Sequence, residues 1–316
     1  MTRAQVRELG SGRLMIDLGF RETEGLVASY ILPGADGVTL VETGPTPCLP
    51  TLRQGLDAAG FSPEEVQRIF VTHIHLDHAG GLGAAAAAFP HATLYVHERG
   101  VPHMVDPSRL IASVRRAWGA AADPLWGTIA PVPADRLVAL RGGERFPVQG
   151  GELTALYTPG HAQHHLAFLD SALGAILVGD AAGVHLEGAA RARPAVPPPD
   201  LDLEAMFGSL DAMVALDPRL ILYSHFGPAP AAVDALKGYR QEVLAWRDAA
   251  LDAARTDPSI EHVARALQAR ETERALAAGA APVDLARAEL VSGYELAAQG
   301  LLRYLRVHGD LPEAPH

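Results

Sequence analysis

Between Leu14 and Glu42 the apolar positions come in short runs, LMIDLGF, LVASYILPG and VTLVETG, separated by Gly, Pro and polar residues. Runs of that length, rich in Val, Ile and Leu and cut by turn formers, predict strands. The texture then alternates. Leu52–Ala59 has helical spacing, Arg68–Thr72 (RIFVT) reads as a buried strand, Leu82–Phe89 as a helix stopped by Pro90, and Ala92–Val96 as another strand. Pro107–Gly119 predicts a further helix.

A second strand-rich block follows, at 137–140 (LVAL), 145–148 (RFPV), 152–157 (ELTALY), 165–170 (HLAFLD) and 174–180 (GAILVGD). The stretch Arg191–Asp200, RARPAVPPPD, holds too many prolines for regular structure and is too apolar for a tether, so a covering loop is expected. Leu201–Leu216 predicts a helix that leads into the strand RLILYS at 219–224. Beyond Pro228 the period changes. Val233, Leu236, Tyr239, Val243 and Trp246 recur at helical spacing, and further helices are expected at Ile260–Leu267 and Leu285–Leu305. The pattern predicts an α/β body over residues 1–228 and a helical region over 229–316.

Composition narrows the function classes. Of 316 residues, 48% are hydrophobic and 20% charged, which allows a sizeable core and excludes a disordered chain. The net charge of −11, with no cluster of Lys and Arg, disfavours a nucleic-acid partner. A single cysteine, Cys48, leaves no intrachain disulfide, and the N-terminus lacks the apolar core of a signal peptide. A cytoplasmic protein without a membrane partner, acting on a small molecule, is the expectation. The amphipathic tail offers a self-association surface, so a homodimer is compatible with the sequence.

The densest chemistry lies in Val71–Gly81, VTHIHLDHAGG. His73 and His75, two apart at the end of a strand, point to the same side. Asp77 and His78 follow at the turn into a helix, where the chain changes direction. One loop could thus serve two neighbouring metal positions. Imidazole with carboxylate suits zinc, iron or manganese better than calcium or magnesium. Any one of these histidines alone reads more simply as a surface residue. Four potential ligands in six positions do not.

HxHxDH after a strand resembles the signature of the metallo-β-lactamase-fold hydrolases, and further motifs of that superfamily follow in order. TPGH stands at Thr158–His161, GD at Gly179-Asp180 after an apolar strand, and a last strand-end histidine at His225. The resemblance covers about residues 10–228. It implies a four-layer αββα sandwich with a C-terminal helical extension, His73, His75 and His161 around one metal, Asp77, His78 and His225 around the other, and Asp180 bridging both. Two divalent ions are implied, zinc first, with iron or manganese as alternatives. The family commonly has Asp in a first motif of the type LIDTG; here LVETG places Glu42, one methylene longer, as a supporting residue that orients a ligand. His165 is expected in a similar supporting role. His97 and His103 read as surface residues, His185 as a pocket candidate, and Tyr223 as core.

Two metals sharing a water would deliver hydroxide, with Asp77 and Asp180 holding metal and water in place. The resemblance therefore implies a dinuclear hydrolase that cleaves a small ester, thioester or lactone. The helical tail is similar in placement to that of the glyoxalase II branch, an analogy of fold alone. A mononuclear-iron dioxygenase of the same fold, like the persulfide dioxygenases, and a phosphodiesterase are the alternatives. A non-enzymatic scaffold is disfavoured because no ligand position is lost.

Overall fold

The computed structural model describes residues 5–279 and 282–312. Seven strands form the first sheet in sequence order: β1 (Gln5–Gly10), β2 (Arg13–Asp17), β3 (Ala28–Gly34), β4 (Gly37–Val41), β5 (Val66–Phe70), β6 (Thr93–His97) and β7 (Leu137–Leu140). The second sheet holds β8 (Arg145–Val148), β9 (Gly151–Tyr157), β10 (Leu166–Asp170), β11 (Ala175–Gly179), β12 (Leu220–Tyr223) and β13 (Gly227–Pro230) in the order β13-β12-β11-β10-β9-β8. The helices in chain order are α1 (Leu49–Ala58), α2 (Leu76–Ala79), α3 (Leu82–Ala88), α4 (Val101–Val105), α5 (Ser108–Trp118), α6 (Ala122–Trp126), α7 (Leu203–Ala215), α8 (Ala232–Thr256), α9 (Ile260–Ala277), α10 (Pro282–Glu289) and α11 (Tyr294–Val307).

The four-layer arrangement follows from strands that are apolar on both faces. In β10 and β11, Leu166, Phe168, Ala175 and Leu177 turn toward the first sheet, while Ala167, Ile176 and Val178 turn toward the helices. That is the two-residue side-chain period of a strand. Between the sheets Phe70 packs edge-on against Phe146 and Phe168, with ring centroids 4.8 and 5.3 Å away. Leu52 and Leu56 of α1 and Leu82 of α3 join this first core. Leu203, Met206 and Leu210 of α7, with Leu236, Tyr239, Val243 and Trp246 of α8, cover the other face of the second sheet. The helices α9 and α11 extend this second core through Leu267, Leu301 and Leu305. Among the described residues no helix is long and apolar enough to cross a membrane.

The structure departs from the sequence reading at several elements: β1, α4 and α6 were not expected, and two further departures have a physical cause. The single helix expected over Leu285–Leu305 is two helices, broken at Ser292-Gly293, with Gly293 in an extended conformation as the cap of α11. The Ser292 hydroxyl there donates to the carbonyl of Pro194, 3.0 Å away, so a tertiary contact outweighs local helical spacing. The GPAP strand β13 was not expected either. Its prolines remove backbone donors, and it pairs at the sheet edge, where that is tolerated.

β4 runs parallel to β5, and β11 parallel to β12. The carboxyl ends of each pair therefore lie at one rim. Glu42, the segment Thr72–His78, Asp180 and His225 all follow these ends, where ligand sites of α/β sheets gather.

One ion pair ties the sheets together. Arg13 of β2 donates from Nε and Nη2 to the two carboxylate oxygens of Asp170 on β10, at 2.6 and 3.0 Å, and both side chains are almost wholly buried. The remaining Arg13 nitrogen donates to the carbonyls of Ser11 and Gln149. Removing one member leaves an uncompensated buried charge, so Asp170→Ala should cost about 3–5 kcal/mol of folding stability. Urea unfolding checks this, and a loss below about 1 kcal/mol, the size of a surface pair, would show the bridge to be incidental.

Candidate metal centre

β5 ends at Phe70, and the chain continues through Thr72 to His73 and His75 before α2 begins with Leu76. α2 carries Asp77 and His78. His161 stands in the turn after β9, Asp180 directly after β11, and His225 two residues after β12. Close approach dictates one glycine. Gly179 has φ +50°, and a Cβ there would lie 2.6 Å from the Thr72 Oγ1 and 2.7 Å from the His165 Nε2. Only a residue without a side chain lets the Asp180 turn sit so near the histidine loop.

Three groups of ligating side chains converge: His73, His75 and His161; Asp77, His78 and His225; and His73, His78 and Asp180. In the first, the His75 Nδ1 lies 2.9 Å from the Nε2 of His73 and 2.9 Å from the Nε2 of His161. In the second, the His78 and His225 Nε2 atoms are 3.2 Å apart, and an Asp77 oxygen is 3.4 Å from that of His225. Asp180 stands between. Its Oδ2 is 3.5 Å from the His161 Nε2, and its Oδ1 is 3.4 Å from His78 and 3.5 Å from His225. All seven residues proposed as ligands from the sequence are therefore in one place.

The orientation of the rings comes from the far side. Glu42 is fully buried and accepts from the Thr72 hydroxyl at 2.6 Å, the Thr72 backbone N–H at 3.3 Å, the Ser224 hydroxyl at 2.9 Å and the His78 Nδ1 at 2.9 Å. Its φ of +73° lies in the left-handed region, a strain of about 1–3 kcal/mol that collects at functional positions. The extra methylene of Glu over Asp reaches, and one carboxylate holds three ligand-bearing segments. The His73 Nδ1 meets the Thr72 hydroxyl at 3.0 Å, the His161 Nδ1 donates to the carbonyl of Ala195 at 2.9 Å, and the His225 Nδ1 donates to that of Leu26 at 2.6 Å. His165, expected in support, accepts the backbone N–H of Asp180 on Nε2 at 3.1 Å and meets the Thr158 hydroxyl at 2.8 Å on Nδ1.

These bonds decide whether the residues fit a cation. With Nδ1 donating outward, the rings of His161, His78 and His225 turn Nε2 inward, where each carries a bare lone pair when the ring is neutral. Lone pairs that face one another at 3.2 Å, as in His78 and His225, repel unless positive charge lies between them. Asp180 Oδ1 is buried and accepts no hydrogen bond, so it too lacks its partner. Ionisation points the same way. Burial and the surrounding imidazoles hold His73 well below its usual value, and burial with His161 alongside brings His75 down to about 3. Burial would also depress His78, but the carboxylates of Glu42, Asp180 and Asp77 outweigh it and hold that ring well above its usual value. Burial pushes the Asp77 carboxyl up, yet His78 and His225 prevail and bring it to about 2. A neutral triad thus lies beside a half that retains protons where a cation would sit. The donor set fits divalent metal ions.

The other candidates are placed as follows. His164 accepts the Ile74 N–H at 3.4 Å. His97, expected at the surface, is buried and stacked 4.6 Å from the Tyr157 ring, because it ends the inner strand β6. His185 stacks on the buried Tyr223 ring at 5.1 Å. Burial and then Asp17 push the Cys48 thiol up to about 12, which removes it as a nucleophile. The sequence reading missed Thr72, Ser224 and Ala195 as supports. The first two adjoin ligands in VTHIH and YSHF, but nothing in the pattern marks hydroxyls that face a carboxylate, and Ala195 acts through its backbone.

The model of the metallo-beta-lactamase superfamily matches residues 23–225, more than half of the chain, and that span includes Glu42 and all seven clustered residues. The metallo-beta-lactamase fold-containing protein ST1585 of Sulfurisphaera tokodaii is 25% identical over 169 residues, 52% of this chain and 62% of that protein. The N-acyl homoserine lactonase AttM of Agrobacterium fabrum is 32% identical over 117 residues, 36% of this chain and 39% of AttM. The chain thus spans less than two thirds of the length of these curated relatives. The solved structure of the metallo-beta-lactamase family protein TTHA1429 from Thermus thermophilus matches with a TM-score of 0.67 at 24% identity, covering 90% of this chain and 89% of that one. That likeness is one of fold.

Glu42→Gln keeps the volume but sets an amide among groups that all donate. Chelator competition should show metal held about 10–100-fold more weakly, the scale of a lost supporting partner. Unchanged affinity would mean that Glu42 does not orient His78.

Proposed function

The chain belongs to the metallo-beta-lactamase superfamily, and from that premise we propose a dinuclear-metal hydrolase that cleaves a small carboxylic ester, thioester or lactone. The observation that carries the reading is the pairing of His73, His75 and His161 with Asp77, His78 and His225 across a shared, unpartnered Asp180. When bound, the metal ions supply an acidified water and a Lewis acid for the substrate carbonyl oxygen. Zinc suits this set of imidazole and carboxylate donors, with iron or manganese as alternatives.

The residues do the remaining work. His73, His75 and His161 present neutral nitrogens, whose orientation Thr72 and Ala195 secure. Asp180 spans the two halves with its two oxygens. Asp77, with 18% side-chain exposure against 8% for Asp180, is the more open of the two carboxylates and is placed to accept the proton that the attacking water loses. Ester-class substrates are supported by the similarity to AttM, an N-acyl homoserine lactonase. Thioesters form the arm of the proposal that follows from the glyoxalase II-like placement of the helices.

The test is a substrate panel on metal-loaded protein: an N-acyl homoserine lactone, a glutathione thioester, a nitrophenyl ester, a nitrophenyl phosphodiester, and oxygen uptake with a persulfide. Turnover of a carboxylic ester, thioester or lactone is expected. Phosphodiester cleavage or oxygen uptake, without any of these, would overturn the proposal. Asp77→Asn should lower turnover by about 10²–10⁴-fold, the range for a group that moves a proton, with the circular dichroism spectrum kept.

A further inference from the structure

The proline-rich segment 191–199 runs between the metal centre and the C-terminal helices, and both sides hold it. Toward the body, Arg193 pairs with Val184 through both backbone groups, and the carbonyl of Ala195 accepts the His161 Nδ1. Toward the helices, the Ala195 N–H donates to the hydroxyl of Tyr239 on α8 at 3.2 Å, and the carbonyl of Pro194 accepts the Ser292 hydroxyl at 3.0 Å. The Arg193 guanidinium lies 3.8 Å from the centroid of the Tyr294 ring and pairs with Glu289 at 2.7 Å. Gly300 of α11 is a glycine of necessity, since a Cβ would collide with the carbonyl of Val196. Tyr239 also meets the turn that follows Asp180. Its ring lies against Gly183, at the end of the turn that Asp180 opens, closely enough to leave no room for a side chain there.

We infer that Tyr239 is a positioning residue for the metal centre: through the Ala195 backbone it holds the His161 imidazole with Nδ1 protonated and Nε2 bare toward His73 and His75. The helical region thereby sets a ligand of the α/β body. Tyr239 is fully buried, and its hydroxyl is the acceptor for the Ala195 N–H. Without it, a buried donor goes unsatisfied and the segment shifts to find a partner. The His161 Nδ1 then loses a fixed acceptor, and with it a fixed tautomer.

This inference rests on the reading of His161 as a metal ligand, so the experiment carries a readout that needs no metal. Tyr239→Phe deletes the hydroxyl and keeps the ring. In the metal-free protein, ring ¹⁵N shifts, assigned to His161 with a His161→Gln control, should change from one tautomer to a mixture. Zinc titration against a chelator should show one of the two sites weakened about 10-fold, the lower end for a supporting partner because the effect passes through a backbone group. Leu267→Ala, on α9 of the same core and in none of the hydrogen bonds that hold the segment, should lower the melting temperature and leave both readouts as in the wild type. A single unchanged His161 tautomer in Tyr239→Phe overturns the inference, as does an equal change in Leu267→Ala. If the wild type binds no zinc, the ligand reading fails separately, while the tautomer comparison still decides whether Tyr239 sets the ring.

Discussion

A carboxylate with no access to water must be surrounded by donors, and at Glu42 that requirement organises the site. Four donors reach it from three places in the chain: Thr72 at the end of one strand, His78 on the short helix that follows, and Ser224 at the end of a strand in the other sheet. Thr72 immediately precedes His73, and Ser224 precedes His225. The residue that bears no ligand role of its own thus fixes the relative position of segments that bear five of the seven candidate ligands, His73, His75, Asp77, His78 and His225. Such a network is stable only when complete, since a missing partner leaves a buried polar group unpaired.

The fold supplies the frame for that network. Parallel neighbours in each sheet bring strand ends to one rim, and the Arg13–Asp170 pair with the Phe70 cluster locks the two sheets face to face. Inward-facing lone pairs and an unpartnered Asp180 oxygen leave the centre short of positive charge. Divalent ions would make up this shortfall, which is the physical link between the buried network and hydrolytic chemistry.

Much of this was legible in the sequence. The strands and the candidate ligands at their ends could be read because short apolar runs stop where the histidines and aspartates stand, and the motifs keep a fixed order. The exchange of Asp for Glu in LVETG pointed to the supporting residue without showing that it gathers three segments. What could not be read depends on distance in space. β1 is an exposed edge strand with little apolar pattern, β13 is half proline, and the break at Gly293 answers to a hydrogen bond with Pro194, some hundred residues away in sequence. Tyr239 sits at core spacing in a long amphipathic helix, and nothing in its neighbours marks a hydroxyl that meets the backbone of Ala195.

The most direct test of the account is metal content. Elemental analysis of the protein purified without added metal, reported as atoms per chain, should give about two divalent ions if the proposed dinuclear centre on these groups is right. A value near one atom of iron, with little else, would contradict the paired centre and favour a mononuclear oxygenase on the same fold.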